Sequence, residues 1–403
     1  MPPDRMVVRY QRPSSWALYD PMEILDELLA AKSALIALTQ IPYQRSWADE
    51  LQRIQLKREV AGTSRIEGAE LTERELELVL RSPSAKDLET RSQRQAAAAV
   101  AAYRWISSLP RERPIDGALI SEVHRQIVTD CDDDHCEPGQ LRSDGENVTF
   151  GAPVHRGVEG GAPCRDAFRD LIEAVNGPFR RHDPLIQAIA LHYHLAAMHP
   201  FLDGNGRTAR ALEALLLQRT GLRDTLFIAM SNYYYEHKAQ YLAALAEAAA
   251  KGHDLTPFLK LALRGIEDQC RRLFGEIRLQ LAKALYRNTM TDLFGRLRSP
   301  RKRVMSARHV QILNLLLDGE EQALGDLEAR TRSLYPLKNP HKALTRDLAY
   351  LFQLQAIRAR AEPVQGTIVL SVNLDWPTQI TETEFFRRVR EMPKVKTLRE
   401  LLS

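Results

Sequence analysis

Apolar residues recur every three or four positions over much of the first 290 residues, the period of an amphipathic α-helix. MEILDELLAAKSALIAL (22–38) and ERELELVLRS (73–82) follow that spacing. ETRSQRQAAAAVAAYRWISSL (89–109) reads as a long Ala-rich helix with Glu89 near its start. RDAFRDLIEAV (165–175) and PLIQAIALHYHLAAM (184–198) give two more helices, with Pro184 suited to the first turn of the second. A helix after Gly206 is expected to end at Thr220-Gly221, with Gly221 just past its end. The pattern lapses from Asp130 to Pro163, where Asp, Gly and Pro surround one β-like run, Asn147–Phe150. A loop with a small hairpin is expected there.

A basic stretch with Pro300, RLRSPRKRVMS (296–306), marks a boundary. Beyond it come three helical runs, ARHVQILNLLLDG, ALGDLEART and NPHKALTRDLAYLFQLQ, and then two β-like runs, AIRARAE and TIVLSVN, joined by a turn at Pro363–Gly366. This is the order of a winged helix-turn-helix. The division expected is therefore an N-terminal helical region (1–108), a central domain (109–295) and a C-terminal module (296–403). The fold class is mainly all-α. Composition fits a folded protein, with 44% hydrophobic and 27% charged residues among 403. No apolar run approaches the ~18 residues of a membrane span, and the N-terminus lacks a signal-peptide core. Four cysteines do not make a disulfide framework, so a cytoplasmic setting is expected. A net charge of +4 does not by itself call for nucleic acid.

The chemistry concentrates in HPFLDGNGRTAR, residues 199–210. Gly204 and Gly206 let backbone N–H groups face a ligand, and they precede a helix whose N-terminus suits phosphate. Arg207 and Arg210 are three apart, hence on one helix face, and an arginine fork suits polyphosphate. Asp203 offers a hard oxygen for Mg²⁺ bound along with phosphates. Asn205 can orient a phosphoryl oxygen through its amide. His199 is placed to act as general base, a role that contributes roughly 10²–10⁴ in rate. DGNG alone would be an ordinary turn between helices; the whole set at fixed offsets points instead to hydroxyl attack on a metal-bound phosphorus. It is not a Walker A loop, since the spacing differs and the Gly-Lys-Ser/Thr ending is absent.

This stretch resembles the Fic signature, His-x-Phe-x-Asp/Glu-Gly-Asn-Gly-Arg-x-x-Arg, at every specified position. The resemblance implies a helical Fic core over residues 20–290, with a winged helix as a common accompaniment. It implies transfer of AMP from ATP, with Mg²⁺, to a Ser, Thr or Tyr hydroxyl of a protein, releasing pyrophosphate, with self-modification included. His199 would be the base and Asp203 the metal ligand. Gly204, Asn205 and Gly206 would hold the α-phosphate region, and Arg207 and Arg210 the outer phosphates. The related phosphorylating Doc toxins carry Lys at the second glycine, so Gly206 favours nucleotidyl transfer. Thr63-x-x-x-Glu67-Gly68 is similar to the inhibitory motif of the family, in the class whose inhibitory helix precedes the core. Glu67 would then pair with Arg210 and occupy the γ-phosphate site. RSDGENVTFG (142–151) takes the place of the Fic flap, a hairpin that holds the target by strand-like pairing. Tyr241 resembles a Tyr lining the adenine pocket, while the Asn that often follows it has no clear match.

Other candidates carry less. His192, His194 and His199 do not share a helix face, which argues against a metal site. Cys131, His135 and Cys136 lack a second ligand pair for zinc. Lys338, His341, Lys342 and Arg346 give the expected recognition helix basic character, and Arg301, Lys302, Arg303, Arg358 and Arg360 add charge. DNA is thus a candidate partner, although dimerisation or target docking would use the same module. Three further readings stay open: removal of AMP at the same site with Glu67 aligning water, phosphotransfer or nucleotidyl transfer from a different nucleotide, and a DNA-binding regulator with a ligand-sensing core. Fic relatives often pair, so the resemblance also makes a homodimer that controls access of Glu67 an expectation.

Overall fold

The structure, a computed structural model, describes residues 7–41, 45–81, 88–131, 136–151, 154–220, 228–297, 300–319, 321–336, 339–362 and 367–392, with the backbone alone at 45–48 and 300–306. The expected Gly221 cap, the Pro363–Gly366 turn, His135 and Lys338 lie outside the described residues, as do the side chains of Arg301, Lys302 and Arg303. The chain divides into two compact units, Met1–Ile277 and Arg278–Ser403.

The first unit runs β1 (Val8–Arg9), α1 (Leu25–Gln40), α2 (Arg45–Ile66), α3 (Glu73–Arg81), α4 (Arg91–Ser107), α5 (Gly117–Val128), β2 (Thr149–Phe150), β3 (His155–Arg156), α6 (Ala162–Asn176), α7 (Pro184–Met198), α8 (Asn205–Arg219), α9 (Met230–Glu236) and α10 (Lys238–Ala250). A long helix, α11 (Thr256–Gly295), contributes to both units. Local chemistry sets the starts. Thr90 caps α4 in a reciprocal box, with Gln93 N donating to Thr90 Oγ1 at 3.1 Å and Thr90 N to Gln93 Oε1 at 3.4 Å. At α7, Asp183 Oδ1 accepts from Leu185 N at 3.0 Å, and Pro184 follows the cap.

Helices α7 and α8 are buried on nearly every face and pack on each other, with α5 and α4 against α8 and α6 against α7. A helix apolar all round belongs in a core, which explains the near-continuous apolar run at 184–198. The expected hairpin forms: β2 pairs antiparallel with β3. The N-terminal strand has no counterpart in the sequence pattern. β1 runs parallel to β3, with Val8 N donating to Val154 O at 3.0 Å and Tyr10 N to Arg156 O at 2.9 Å.

The second unit contains α12 (Pro300–Asp318), β4 (Gln322–Ala323), α13 (Leu324–Thr331), α14 (Pro340–Gln353), β5 (Ile357–Ala361), β6 (Ile368–Val372), α15 (Trp376–Gln379) and α16 (Glu382–Glu391). The two expected β runs pair antiparallel, and β4 adds a third strand in the order β4-β6-β5. Trp376 and Phe385, from the C-terminal helices that the sequence pattern did not announce, sit in its core. Asp347 of α14 points inward, where it accepts from Arg308 Nε at 3.0 Å and Tyr335 Oη at 2.8 Å. Among the described residues no helix is long and apolar enough to cross a membrane.

Candidate active site

The α7–α8 connection opens on a cavity of about 820 Å³ in the first unit. His199, Asp203, Gly204, Asn205, Gly206, Arg210, Glu67 and Tyr241 line it together. Residues over 170 positions apart in sequence thus meet at one surface, and tertiary packing rather than local chain geometry brings them there.

His199 ends α7 in the left-handed region, at φ 52°. Pro200 follows, and a residue before proline is steered away from the helical conformation. Non-glycine residues at such φ cost free energy and concentrate at functional positions. His199 Nδ1–H donates to Ala196 O at 2.6 Å. A carbonyl only accepts, so this tautomer leaves Nε2 as the basic nitrogen. Phe150 of the flap stacks on the imidazole, with centroids 3.6 Å apart and planes 9° apart. Burial is the largest cause that pulls the His199 pKa down, to about 4, with the Ala196 bond and Glu67 acting the other way.

The loop beyond His199 is braced from within. Asn205 spends both ends of its amide on Phe201: Oδ1 accepts from Phe201 N and Nδ2 donates to Phe201 O, each at 2.9 Å. The expected phosphoryl-orienting amide is thus engaged in closing the turn. Gly204 sits at φ +73° with Val128 Cγ1 only 2.7 Å from where a Cβ would stand, so no other residue fits without strain. Asp203, 35% exposed at its side chain, accepts from Gly204 N at 2.6 Å through Oδ1. Arg207, 5% exposed, reaches Asp203 Oδ2 at 3.3 Å. Arg210 is the cavity-lining cation of the pair.

Arg210 is 2% exposed and meets Glu67, whose side chain is 40% exposed, at 2.6 Å. Its Nε donates to Thr63 Oγ1 at 2.9 Å. Burial raises the cost of the Glu67 charge, but Arg210 outweighs it and holds the carboxyl below its usual range. The end of α2 explains the Glu-Gly pair. Ala69 N donates to Ser64 O at 3.0 Å and Gly68 N to Arg65 O at 3.1 Å, which is a Schellman cap with Gly68 at φ +90°. Glu67 is therefore the C-cap residue, thrown sideways off the helix end toward α8. A Cβ on Gly206 would lie 2.8 Å from Glu67 Oε1.

Tyr241 faces the protein interior more than the cavity. It is 2% exposed, and its hydroxyl is 2.9 Å from His192 Nε2 and 3.5 Å from Arg210 NH1. Burial is the main cause that pushes its pKa up to about 12. Leu242, Leu245, Ala246 and Ala249 give α10 an apolar cavity wall. The three histidines of 192–199 diverge: His192 Nδ1 is 2.8 Å from Glu213 Oε2, His194 Nε2 donates to Trp16 O at 2.8 Å, and His199 lines the cavity. Cys131 Sγ donates to Ile127 O at 3.3 Å, and Cys136 Sγ is 3.7 Å from His124 Nε2.

Residues 114–217 match the model of the Fic/DOC family. The chain carries a Fic domain. Protein adenylyltransferase fic-1 of Caenorhabditis briggsae is similar, 30% identical over 176 residues, or 43% of this chain and 31% of that one. Fic-1 of Caenorhabditis elegans is 29% identical over 160 residues, 40% of this chain and 28% of that one. The matches thus span under a third of these curated relatives. Among solved structures, a Fic family protein from Desulfovibrio desulfuricans G20 superposes at a TM-score of 0.56 with 19% identity, over 90% of this chain and 98% of that one. Fic-1 (aa134–508) from C. elegans gives 0.53 with 22% identity, over 64% and 75%. These structural likenesses establish the fold.

Two residues of the Fic domain that support the loop have no signal in the sequence. His124 stacks on Phe201 at 3.8 Å between centroids. Its Nδ1 accepts from Gly139 N at 2.9 Å, and Nε2–H donates to Asp203 O at 3.0 Å. Burial pulls its pKa down to about 4, so it stays neutral. Arg142, 1% exposed, donates from Nε to His199 O at 2.8 Å, from NH1 to Glu146 O at 2.7 Å, and from NH2 to Val158 O, tying the flap to the loop. A buried arginine serving carbonyls has no periodic signature in a sequence.

Proposed function

We propose that this chain is an autoinhibited, Mg²⁺-dependent protein adenylyltransferase that transfers AMP from ATP to a protein hydroxyl. The observation that carries the proposal is the convergence, at one cavity, of a neutral histidine, a solvent-open carboxylate, a glycine-opened helix N-terminus and a buried arginine engaged by Glu67. The names of the curated relatives support it.

In this reading the target hydroxyl oxygen attacks the α-phosphorus of ATP. The bond from that phosphorus to the bridging oxygen of pyrophosphate breaks, and the hydroxyl proton passes to His199 Nε2. Held by Ala196, the imidazole presents that nitrogen without rotating. The start of α8 receives phosphate oxygens on its free N–H groups, and Arg210 supplies a charged fork. Asp203 fits a Mg²⁺ site as a cavity-lining carboxylate beside the α8 N-terminus. That suits an ion held by one carboxylate together with nucleotide phosphates and water. Bound there, the ion would neutralise charge developing on the leaving phosphates. Arg207 orients Asp203.

Glu67 inhibits by occupying Arg210. The pair is asymmetric, a buried cation against a carboxylate that opens to the cavity, so a phosphate with more charge and more acceptors can compete for the same fork. The same carboxylate, next to the α8 N-terminus, could align water to remove AMP from a modified target. Incubation of Glu67→Gly with α-labelled ATP and Mg²⁺ tests the reaction: label on protein supports it, and label carried only by γ-labelled ATP would indicate phosphotransfer instead.

For the second unit we propose a winged-helix module. Its helix–strand–helix–helix–strand–strand order supports this, as does the inward-facing Asp347, which leaves Lys342 and Arg346 as exposed charges of α14. A salt-dependent shift with duplex DNA would assign it to DNA binding; concentration-dependent dimerisation without such a shift would assign it to assembly.

A further inference from the structure

The Schellman cap at the end of α2 uses the carbonyls of Ser64 and Arg65. The next carbonyl, that of Ile66, is beyond the reach of the cap and is one of the acceptors a helix end leaves without an intrahelical partner. Lys238, the first residue of α10, supplies the partner: its Nζ donates to Ile66 O at 2.7 Å. This bond reaches across 172 positions to the residue that immediately precedes Glu67. Two turns earlier, α2 is fixed separately, since Glu59 accepts from Tyr103 Oη and Ser231 N, each at 2.8 Å. The body of α2 is therefore anchored, and Lys238 acts on its last turn.

Lys238 also lines the cavity that holds Glu67, Gly206 and Arg210. Its ammonium is a compact charge on a flexible four-carbon stem, able to change partners without moving the backbone. A charged acceptor makes a stronger hydrogen bond with ammonium than a neutral carbonyl does. We propose that Lys238 is the second cation of the switch, bound to Ile66 O while Glu67 sits on Arg210, and transferred to the terminal phosphate of the nucleotide once Glu67 has been displaced. This rests on the adenylyltransferase reading above. In the first state Lys238 strengthens inhibition, because it fixes the turn that aims Glu67. In the second it strengthens substrate binding.

The two roles have opposite signs, and a merely structural lysine would not reverse sign between backgrounds. Lys238→Met is placed in the wild-type chain and in Glu67→Gly, full length in both cases, and AMP transfer is followed by intact mass. In the wild type at saturating ATP, the substitution raises the rate about tenfold, the weight of one charge-assisted hydrogen bond. In Glu67→Gly it raises the KM for ATP about tenfold and leaves kcat nearly unchanged. Lys238→Arg, which keeps a cationic donor, moves both quantities less than Lys238→Met. If Glu67→Gly alone transfers no AMP, the adenylyltransferase reading fails. If Glu67→Gly is active but Lys238→Met lowers the rate in both backgrounds, or alters neither, the Lys238 proposal is overturned.

Discussion

The Phe150 ring lies flat on the His199 imidazole, 3.6 Å between centroids and 9° between planes. A flap residue thereby dries the proposed base, and burial is the leading cause of its lowered pKa. Phe150→Ala admits water. Its expected effect is a rise of about one unit in the His199 pKa, seen by NMR titration, and roughly tenfold lower kcat/KM in a Glu67→Gly background.

The pH dependence follows from the same environment. A base must be unprotonated to act, and His199 holds its proton only below about 4. The kcat/KM of Glu67→Gly should therefore be level from pH 6 to 8 and fall only as the pH drops toward about 4. Removing Glu67 takes away an interaction that raises the His199 pKa, so the shift runs further down. An acid limb centred near the ordinary histidine value of about 6.5 would contradict a desolvated base.

His124 holds the Asp203 loop through ring and hydrogen bond together. His124→Ala should lower stability by about 3 kcal/mol in thermal or denaturant unfolding, the range for truncating a buried ring. His124→Leu keeps more of the volume but leaves the Gly139 N–H and Asp203 carbonyl without their partner, at a cost of about 1–3 kcal/mol. Both should slow AMP transfer.

Gly68 sets the helix end that presents Glu67. At φ +90° it has open space where an added methyl would stand, so the penalty of Gly68→Ala is conformational, about 1–2 kcal/mol. Unfolding should report that loss, and AMP transfer should rise above the wild type, though less than in Glu67→Gly.

The sequence makes visible what is contiguous or periodic. His199 to Arg210 lie in one stretch, and their loop and helix follow from Pro200, Gly204 and the apolar run before them. Glu67 is legible through the resemblance of Thr63-x-x-x-Glu67-Gly68 to the inhibitory motif, in which Gly68 is the residue just past the helix end. His124, Arg142 and Lys238 are not, because each acts on a carbonyl distant in the chain, and carbonyls leave no mark on a sequence. Tyr241 lines the cavity while turning its hydroxyl to His192 and Arg210, and the apolar wall that α10 adds through Leu242, Leu245, Ala246 and Ala249 has no motif to mark it. The β1–β3 pairing spans two residues per strand and has no turn to announce it.

The central claim is that Glu67, at 2.6 Å from Arg210, holds back transfer of AMP. Intact mass after incubation with ATP and Mg²⁺ tests it most directly, comparing wild type, Glu67→Gly and Glu67→Gly/His199→Ala. The account predicts an AMP-sized gain on protein that is strong in Glu67→Gly, weak in the wild type and absent when His199 is also replaced. Equal gain in wild type and Glu67→Gly, or a gain that survives the loss of His199, would contradict it.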